Sequence, residues 1–573
     1  MPIAKFDDQM HRQKQLERLA DHVTASANPP IAEIEEMLQE YLSTSALPTK
    51  KASPSDADKR AFQLAVFAFI VVTVCDGHFH TDRKLDSCFL NAWPGIWRWL
   101  QFLDEQCCRR VKYGDKGKIQ ALITIASSLA TISVSKSLRR EVQSTPGVVA
   151  MLTRHWKDEG RYPEFIQKVL EAGDTGRPFT GALNALLNAG DLAANCLPDV
   201  VAASGGAKSA ATTAIERLNA VLAEKPPHFP TIHSHISLLN NFSCHKDPEI
   251  VRAMLGGGMI LTLVKTFVWL EEQSPSASAD KDKICQCMNA CLYTLANAMT
   301  VVNGPSRVVQ ALHAGLLPAV LKSASRMDPS SDRRIAFECS RLLFDILCQY
   351  LVYREVIRSA ERALKTVERF RLDDTLGGPI KAAWDMFKTL SQKRTALKER
   401  FDAGDDGPQR RCDRVKCPSR LHHDDLLRCS GCLTVLYCGR KCQRMDWAAH
   451  KPTCQEMQQL VHDSGGIDTT MDSKGSRFIR YMVENDILEY DLSFDKSNSP
   501  VRCSPSKFTI NVDYIPVPFA ITIVPIAEAR TEDVHWEAVI EQSLQSNDRL
   551  MVATVNVQRG RLISSTAFLL AAP

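Results

Sequence analysis

Cys412, Cys417, Cys429, Cys432, Cys438, Cys442, His450 and Cys454 lie within 43 residues, in the pattern C-x4-C-x11-C-x2-C-x5-C-x3-C-x7-H-x3-C. Thiolates and imidazoles are metal ligands, and eight of them suffice for two four-coordinate sites. Tetrahedral sulfur and nitrogen sites favour Zn²⁺, which has no redox chemistry. Seven of the chain's 19 cysteines are in this stretch, and the other twelve are scattered over the remaining 530 residues. The scattered ones, such as Cys285, Cys287, Cys291, Cys339 and Cys348, sit in apolar helical contexts and read as small buried hydrophobes. The N-terminal Met1-Pro-Ile-Ala-Lys-Phe-Asp-Asp is polar and mixed in charge, unlike an export signal. Clustered cysteines without an export signal favour metal over disulfides, in a reducing intracellular compartment, nucleus or cytoplasm.

The spacing has mechanical content. A tight turn lets Cys429 and Cys432 reach one ion. Cys438 and Cys442 are four apart, as are His450 and Cys454, and on a helix such pairs project from one face. Pro452 interrupts the second pair, which predicts a helix that is short there or near its start. Leu436-Tyr437-Cys438-Gly439-Arg440-Lys441-Cys442-Gln443, Asp446-Trp447, His450-Lys451 and Cys454 together resemble a MYND zinc finger. The resemblance implies interleaved ligation, with Cys412, Cys417, Cys438 and Cys442 on one zinc and Cys429, Cys432, His450 and Cys454 on the other. It also implies docking of short proline-containing peptides from partner proteins, with Gln443 and Trp447 as contacts. Trp447 would offer a flat apolar face to a proline ring, and Gln443 a donor and acceptor to an extended backbone. A RING-type finger, which also interleaves two zincs, typically has a central Cys-x-His and ends in C-x2-C, whereas this stretch ends in H-x3-C. His422 and His423 lie in the long gap and read as exposed loop histidines, since eight ligands exist without them.

Two fully protein-ligated ions leave no open position for water or substrate, which argues against zinc catalysis. The cluster is surrounded by Arg410, Arg411, Arg414, Lys416, Arg428, Arg440, Lys441, Arg444 and Lys451. A site of four thiolates carries about −2 and one of three thiolates and a neutral histidine about −1, so nearby cations offset that charge. The whole chain is only +4, and its basic residues, with Lys393-Arg394 and Arg410-Arg411, make a weak case for a nucleic-acid-associated regulator. A MYND-containing protein-lysine methyltransferase is the enzymatic alternative. Asn241-Phe242-Ser243-Cys244 faintly resembles that family's Asn-His-Ser-Cys signature, but it lacks the histidine and precedes the finger instead of following it. No Gly-rich phosphate loop or nucleophile elbow appears.

These residues need elements to hold them. At 573 residues the chain is too long for one core. It divides into residues 1–59 (N-terminal helices and a weakly ordered linker), a helical region 60–400, the finger 412–454 and an α+β segment 475–573. In the helical region apolar residues recur at helical spacing, as in Ile119 to Ile132, Ala182 to Leu197, Ile284 to Val302 and Ile335 to Val352. Ser43 to Asp58 and Ser274 to Lys283 read as weakly ordered or as loop. Ala61 to Cys75, 15 residues long, is the most apolar stretch and reads as a buried helix, because a membrane span needs roughly 20 residues. A loose unit recurs from Leu129, Leu239 and Leu295: a helix end, a polar turn, a short amphipathic helix, a glycine (Gly147, Gly257, Gly315) and a third helix. It resembles an armadillo or HEAT-type repeat, with the glycine permitting the corner. Beyond residue 475, Arg477 to Leu488 and Val534 to Leu544 read as helices. Phe508 to Pro525 reads as two strands around a turn, and Leu550 to Val557 as a third. The expected protein is therefore mostly α. An armadillo/HEAT-like helical region precedes a small two-zinc MYND finger and a small α+β C-terminal domain. The expected function is a non-enzymatic interaction scaffold that recruits proteins, not membranes or nucleic acid.

Overall fold

The helical spacing of apolar residues closes into 23 α-helices among the described residues. The computed structural model describes residues 2–48, 53–79, 83–171, 177–187, 196–244, 247–273, 278–301, 303–326, 333–374, 376–403, 410–412, 414, 417, 419–421, 426–431, 435–463, 473–489, 505–529, 536–545, 550–560 and 562–571. They fall into two compact units, Met1–Met259 and Ile260–Pro573.

The first unit holds α1 (Pro2–Ala25), α2 (Ile31–Tyr41), α3 (Asp56–Val74), α4 (Arg83–Phe102), α5 (Gly114–Ile132), α6 (Lys136–Ser144), α7 (Val148–Asp158), α8 (Pro163–Glu171), α9 (Pro178–Leu186), α10 (Leu197–Ser204), α11 (Ala207–Leu222), α12 (Phe229–Ser243) and α13 (Pro248–Gly256). The stretch expected to be weakly ordered, Ser43 to Asp58, runs into α3 at Asp56, and the cap of that helix is Ser55. Its hydroxyl accepts from the Asp58 amide (3.2 Å) while the Asp58 carboxylate accepts from the Ser55 amide (2.8 Å), which satisfies two amides that a helix start otherwise leaves unpaired. By length and composition, Asp56–His78 could cross a membrane. Here α3 packs against α1, α2 and α5 and buries Phe62, Ala65, Val66, Phe69, Val71 and Val72.

The second unit continues with α14 (Met259–Glu272), α15 (Ser278–Val301), α16 (Gly304–His313), α17 (Leu316–Arg326), α18 (Arg333–Arg341), α19 (Arg354–Phe370) and α20 (Gly378–Asp402). Three expectations change. The loop expected over Ser274 to Lys283 is helical from Ser278, where α15 starts and Asp280 pairs with Lys283 one turn on (3.7 Å); residues 274–277 lie outside the described ones. The helix expected over Ile335 to Val352 turns π-helical at Leu342–Leu347 and ends. The helix expected over Ala182 to Leu197 stops at Leu186, and α10 begins at Leu197; residues 188–195 lie outside the described ones.

The recurring glycine does stand at a left-handed corner just before the third helix in two of three cases, with φ +90° at Gly147 and +93° at Gly315. In the third, Gly257 is right-handed (φ −74°) and Gly258 takes the corner (φ +91°). Three glycines in a row leave the choice to packing. A Cβ on Gly257 would stand 3.1 Å from the Ile215 side chain, so that position is fixed by its approach to α11.

The C-terminal elements are α22 (Ser473–Glu489), β5 (Phe508–Asp513), β6 (Ala520–Pro525), α23 (Trp536–Leu544), β7 (Leu550–Arg559) and β8 (Leu562–Ala571); β1 to β4 and α21 belong to the finger, below. The sheet order is β6-β5-β7-β8, with β5 parallel to β7 and the other pairs antiparallel. Parallel neighbours need a crossover, and α23 lies on it. The strand β8 lacks the Ile/Val/Thr density that marks the others, and pairing along β7 makes it a strand. This sheet shares a core with the helices of its unit. Arg394 of α20, buried, pairs with Asp486 of α22 (2.7 Å), Asp486 accepts from the Tyr514 hydroxyl (2.7 Å), and the guanidinium lies over the Tyr514 and Phe519 rings. Removing one member leaves the other charge buried and uncompensated. Asp486→Ala should therefore lower unfolding stability by about 3–5 kcal/mol in a denaturant titration, whereas an exposed pair such as Lys381–Asp385 should give under ~1 kcal/mol.

Candidate metal centre

The finger begins with fragments that cannot stand alone. The strand β1 (Arg410–Arg411) pairs antiparallel with β2 (Arg420–Leu421), and β3 (Leu427–Arg428) with β4 (Leu436–Tyr437). Two-residue strands form too few ladder hydrogen bonds to hold alone, and even full-length two-stranded hairpins are marginal in water. Turns at the hairpins bring cysteines inward. The Cys417 amide donates to Arg414 O (2.9 Å), the Cys412 amide to Ser419 O (3.3 Å) and the Cys429 amide to Val435 O (2.9 Å). Helix α21 (Arg440–Asp463) follows β4 directly and carries Cys442, His450 and Cys454.

Among the described residues, the buried cluster at the centre consists of Cys412, Cys417, Cys429, Cys442 and Cys454 with Val435 and Tyr437, and Leu426, Leu436 and His450 are buried as well. A core made of thiols and a few apolar side chains supplies little hydrophobic free energy, so ligation must supply the rest. Tyr437 is fully buried; its hydroxyl donates to Asp446 on α21 (2.8 Å), and its ring meets the His450 ring edge-to-face. That contact pins α21 to the second hairpin.

Two groups of ligand atoms converge. Cys412, Cys417, Cys438 and Cys442 form one, and Cys429, His450 and Cys454 the other, each within 4.8 Å throughout. The groups interleave along the chain. Cys432, expected in the second, lies outside the described residues, as do His422, His423 and Lys416. Sulfur separations are 3.6 Å for Cys417–Cys438, 3.4 Å for Cys438–Cys442, 3.7 Å for Cys442–Cys417 and 3.8 Å for Cys429–Cys454. Four sulfurs at roughly 2.3 Å from one ion stand about 3.8 Å apart at tetrahedral angles. The sulfurs thus already have the spacing of a zinc tetrahedron, closer than four thiolates without a cation between them would tolerate.

Several supporting residues go beyond the cysteine spacing. The Ser419 side chain, by hydrogen bonding, draws the Cys417 thiol down to about 6, while thiol contact with Cys438 pushes Cys442 up to about 12. Asp446 holds Tyr437, and Val435 is buried in one cluster with cysteines of both groups. A hydroxyl two residues after a cysteine is the only sequence trace Ser419 leaves. The expectation about Pro452 changes too. The helix α21 runs through it to Asp463. Proline removes one ladder hydrogen bond, the one that the carbonyl of Ala448 would accept; Ala448 is exposed, so water can take its place. Trp447 is 42% exposed, its ring edge against His450; Gln443 is half-buried one turn earlier.

The MYND finger family model matches residues 411–454. Residues 411–454 are a MYND finger. The chain is also 30% identical over 110 residues to "Ubiquitin C-terminal hydrolase 15" of Oryza sativa subsp. japonica. That match covers 18% of this chain and 11% of the rice protein. A MYND finger is a protein-interaction module, and its two groups of cysteine and histidine ligands imply zinc binding.

Zinc must displace the protons of thiols such as Cys442, which are held at neutral pH when metal is absent. Bound zinc is therefore favoured as pH rises and lost as it falls. Acid titration with a chromogenic zinc indicator should show release below neutrality, and Cys442→Ser should move the release to higher pH. Identical release curves would contradict a role for Cys442.

Proposed function

We propose that this chain is a zinc-binding interaction scaffold whose MYND finger docks short proline-containing segments of partner proteins. Two zinc ions would be held, one by Cys412, Cys417, Cys438 and Cys442, the other by Cys429, Cys432, His450 and Cys454. The observation that carries the reading is Trp447. Its helix is fixed on one side by buried Cys442, His450 and Cys454, while the indole stays 42% exposed. A large apolar face presented on a rigid element before binding reduces the ordering cost of association. Gln443 lies one helical turn away and offers a donor and an acceptor to an extended backbone. The helical region would present a second partner surface, as helical repeat arrays commonly do.

The reading is non-enzymatic. A thiol nucleophile needs a lowered pKa. Among the described residues the one thiol drawn down, Cys417, is a proposed zinc ligand, whereas outside the finger burial pushes Cys75, Cys107, Cys196, Cys339 and Cys348 up to about 12 and Cys88 to about 11. The rice hydrolase shares a stretch that is 11% of its own length, too little to bring its named activity here. Asn241, the first residue of the stretch that faintly resembles the methyltransferase signature, donates to Asn184 (3.1 Å) inside the first unit's helical packing. An intracellular site of action follows from the reduced thiols that zinc ligation requires.

A panel of fluorescent proline-rich peptides titrated into the zinc-loaded full chain tests this. At least one peptide should bind, and Trp447→Ala should weaken it by more than tenfold, about 1.4 kcal/mol or more, with zinc content unchanged. Equal binding by wild type and Trp447→Ala would remove Trp447 from the interface.

A further inference from the structure

The solvent side of α21 carries a pattern that zinc ligation does not require. Arg440, Arg444, Trp447 and Lys451 occur at i, i+4, i+7 and i+11, which places them on a single helical stripe, and all four are exposed. Lys441 and Met445 flank it, Met445 at 60% exposure. Among the described residues Arg440, Lys441, Arg444 and Lys451 have no ion-pair partner. Asp446, the carboxylate between Arg444 and Trp447 in this helix, is engaged by Tyr437.

Two local preferences are broken here. The first turn of α21 holds Arg440 and Lys441 and no acidic residue, although the positive end of a helix dipole disfavours cations. Arg440 and Arg444 are like charges one turn apart, which also destabilises a helix. The thiolates do not account for all this charge. Residues 411–454 contain nine Lys and Arg against four Asp. Fully ligated sites would contribute about −3, which leaves the finger at about +2. Where a sequence breaks local rules without a structural return, the residues are candidates for binding.

We propose that this stripe selects partners whose docking segment carries Asp or Glu on both sides of the residue seated on Trp447. The proposal rests on the docking reading above and adds the chemistry of the partner. Arg444 and Lys451 stand three and four residues from Trp447, about 4.5 and 6 Å along the axis. An extended proline-rich segment advances about 3.1 Å per residue. Carboxylates roughly two positions before and after the anchor therefore meet the two cations, and Arg440 reads one position further out. Nucleic acid is the weaker fit. So short a stripe neutralises few phosphates, whereas the same cations need only supplement a segment already held by Trp447.

Anisotropy titrations with zinc-loaded full chain test the proposal. Fluorescein-labelled peptides share one proline-rich core and are flanked by Glu, by Ser or by Lys; single-stranded RNA serves as competitor. The Glu-flanked peptide should bind about tenfold tighter than the Ser-flanked one at low salt, as expected for a few exposed pairs, and the difference should shrink at high salt. The Lys-flanked peptide should bind weakest. Arg444→Glu with Lys451→Glu should reverse the order and leave zinc content and the Ser-flanked affinity unchanged. Should that double variant lose zinc, Arg444→Gln with Lys451→Gln should abolish the preference, and the wild-type peptide series stands without any variant. Equal affinity for all three peptides overturns the proposal and leaves the docking reading intact. No binding by any peptide overturns both. RNA that displaces the Glu-flanked peptide with a steep salt dependence assigns the stripe to nucleic acid instead.

Discussion

Close approach of sulfur atoms from distant parts of the chain is the constraint on which the finger depends. Cys417 and Cys438 belong to different hairpins and Cys442 to the following helix, yet their sulfurs stand 3.4–3.7 Å apart. Thiols gain almost nothing from one another at that distance. A divalent cation among them turns an unfavourable crowding into bonds, on the order of 10–16 kcal/mol of apparent folding free energy per site. The two-residue strands, the buried Tyr437 and the exposed Trp447 are consequences. Each has its position because ligation fixes the backbone around it.

The rest of the chain is stabilised differently. Its helices close around apolar faces, and several of the charges they bury are paired. Arg394, Asp486 and Tyr514 join α20, α22 and the C-terminal sheet. In the first unit Glu159, fully buried, accepts from the Phe179 amide (2.7 Å) and the Thr180 hydroxyl (2.8 Å) and faces Arg217 (3.3 Å). Such networks fix which elements meet more than they add net stability.

The convergence of Cys412, Cys417, Cys438 and Cys442, and of Cys429, His450 and Cys454, was legible because metal chemistry restricts both residue type and spacing, and no apolar context imitates Cys and His at those intervals. The helices were legible where apolar periodicity ran unbroken, as in Ile119 to Ile132, which lies within α5. Misreadings occurred where tertiary structure decides. Pro452 signals a helix break locally, but ligands on both sides of it keep α21 continuous. Gly257 and Gly258 are indistinguishable in sequence, and the nearness of Ile215 separates them. The strand β8 depends on its neighbour β7. Partners such as Arg394 and Asp486, 92 positions apart, leave no periodic trace at all.

The most direct measurement is native mass spectrometry of the full chain combined with hydrogen exchange before and after thorough chelation. Two zinc ions per chain should be present, and their removal should abolish amide protection across residues 412–454 while α5 and α12 keep theirs. A chain that carries fewer than two ions, or whose finger amides stay protected after the metal is gone, would contradict the account.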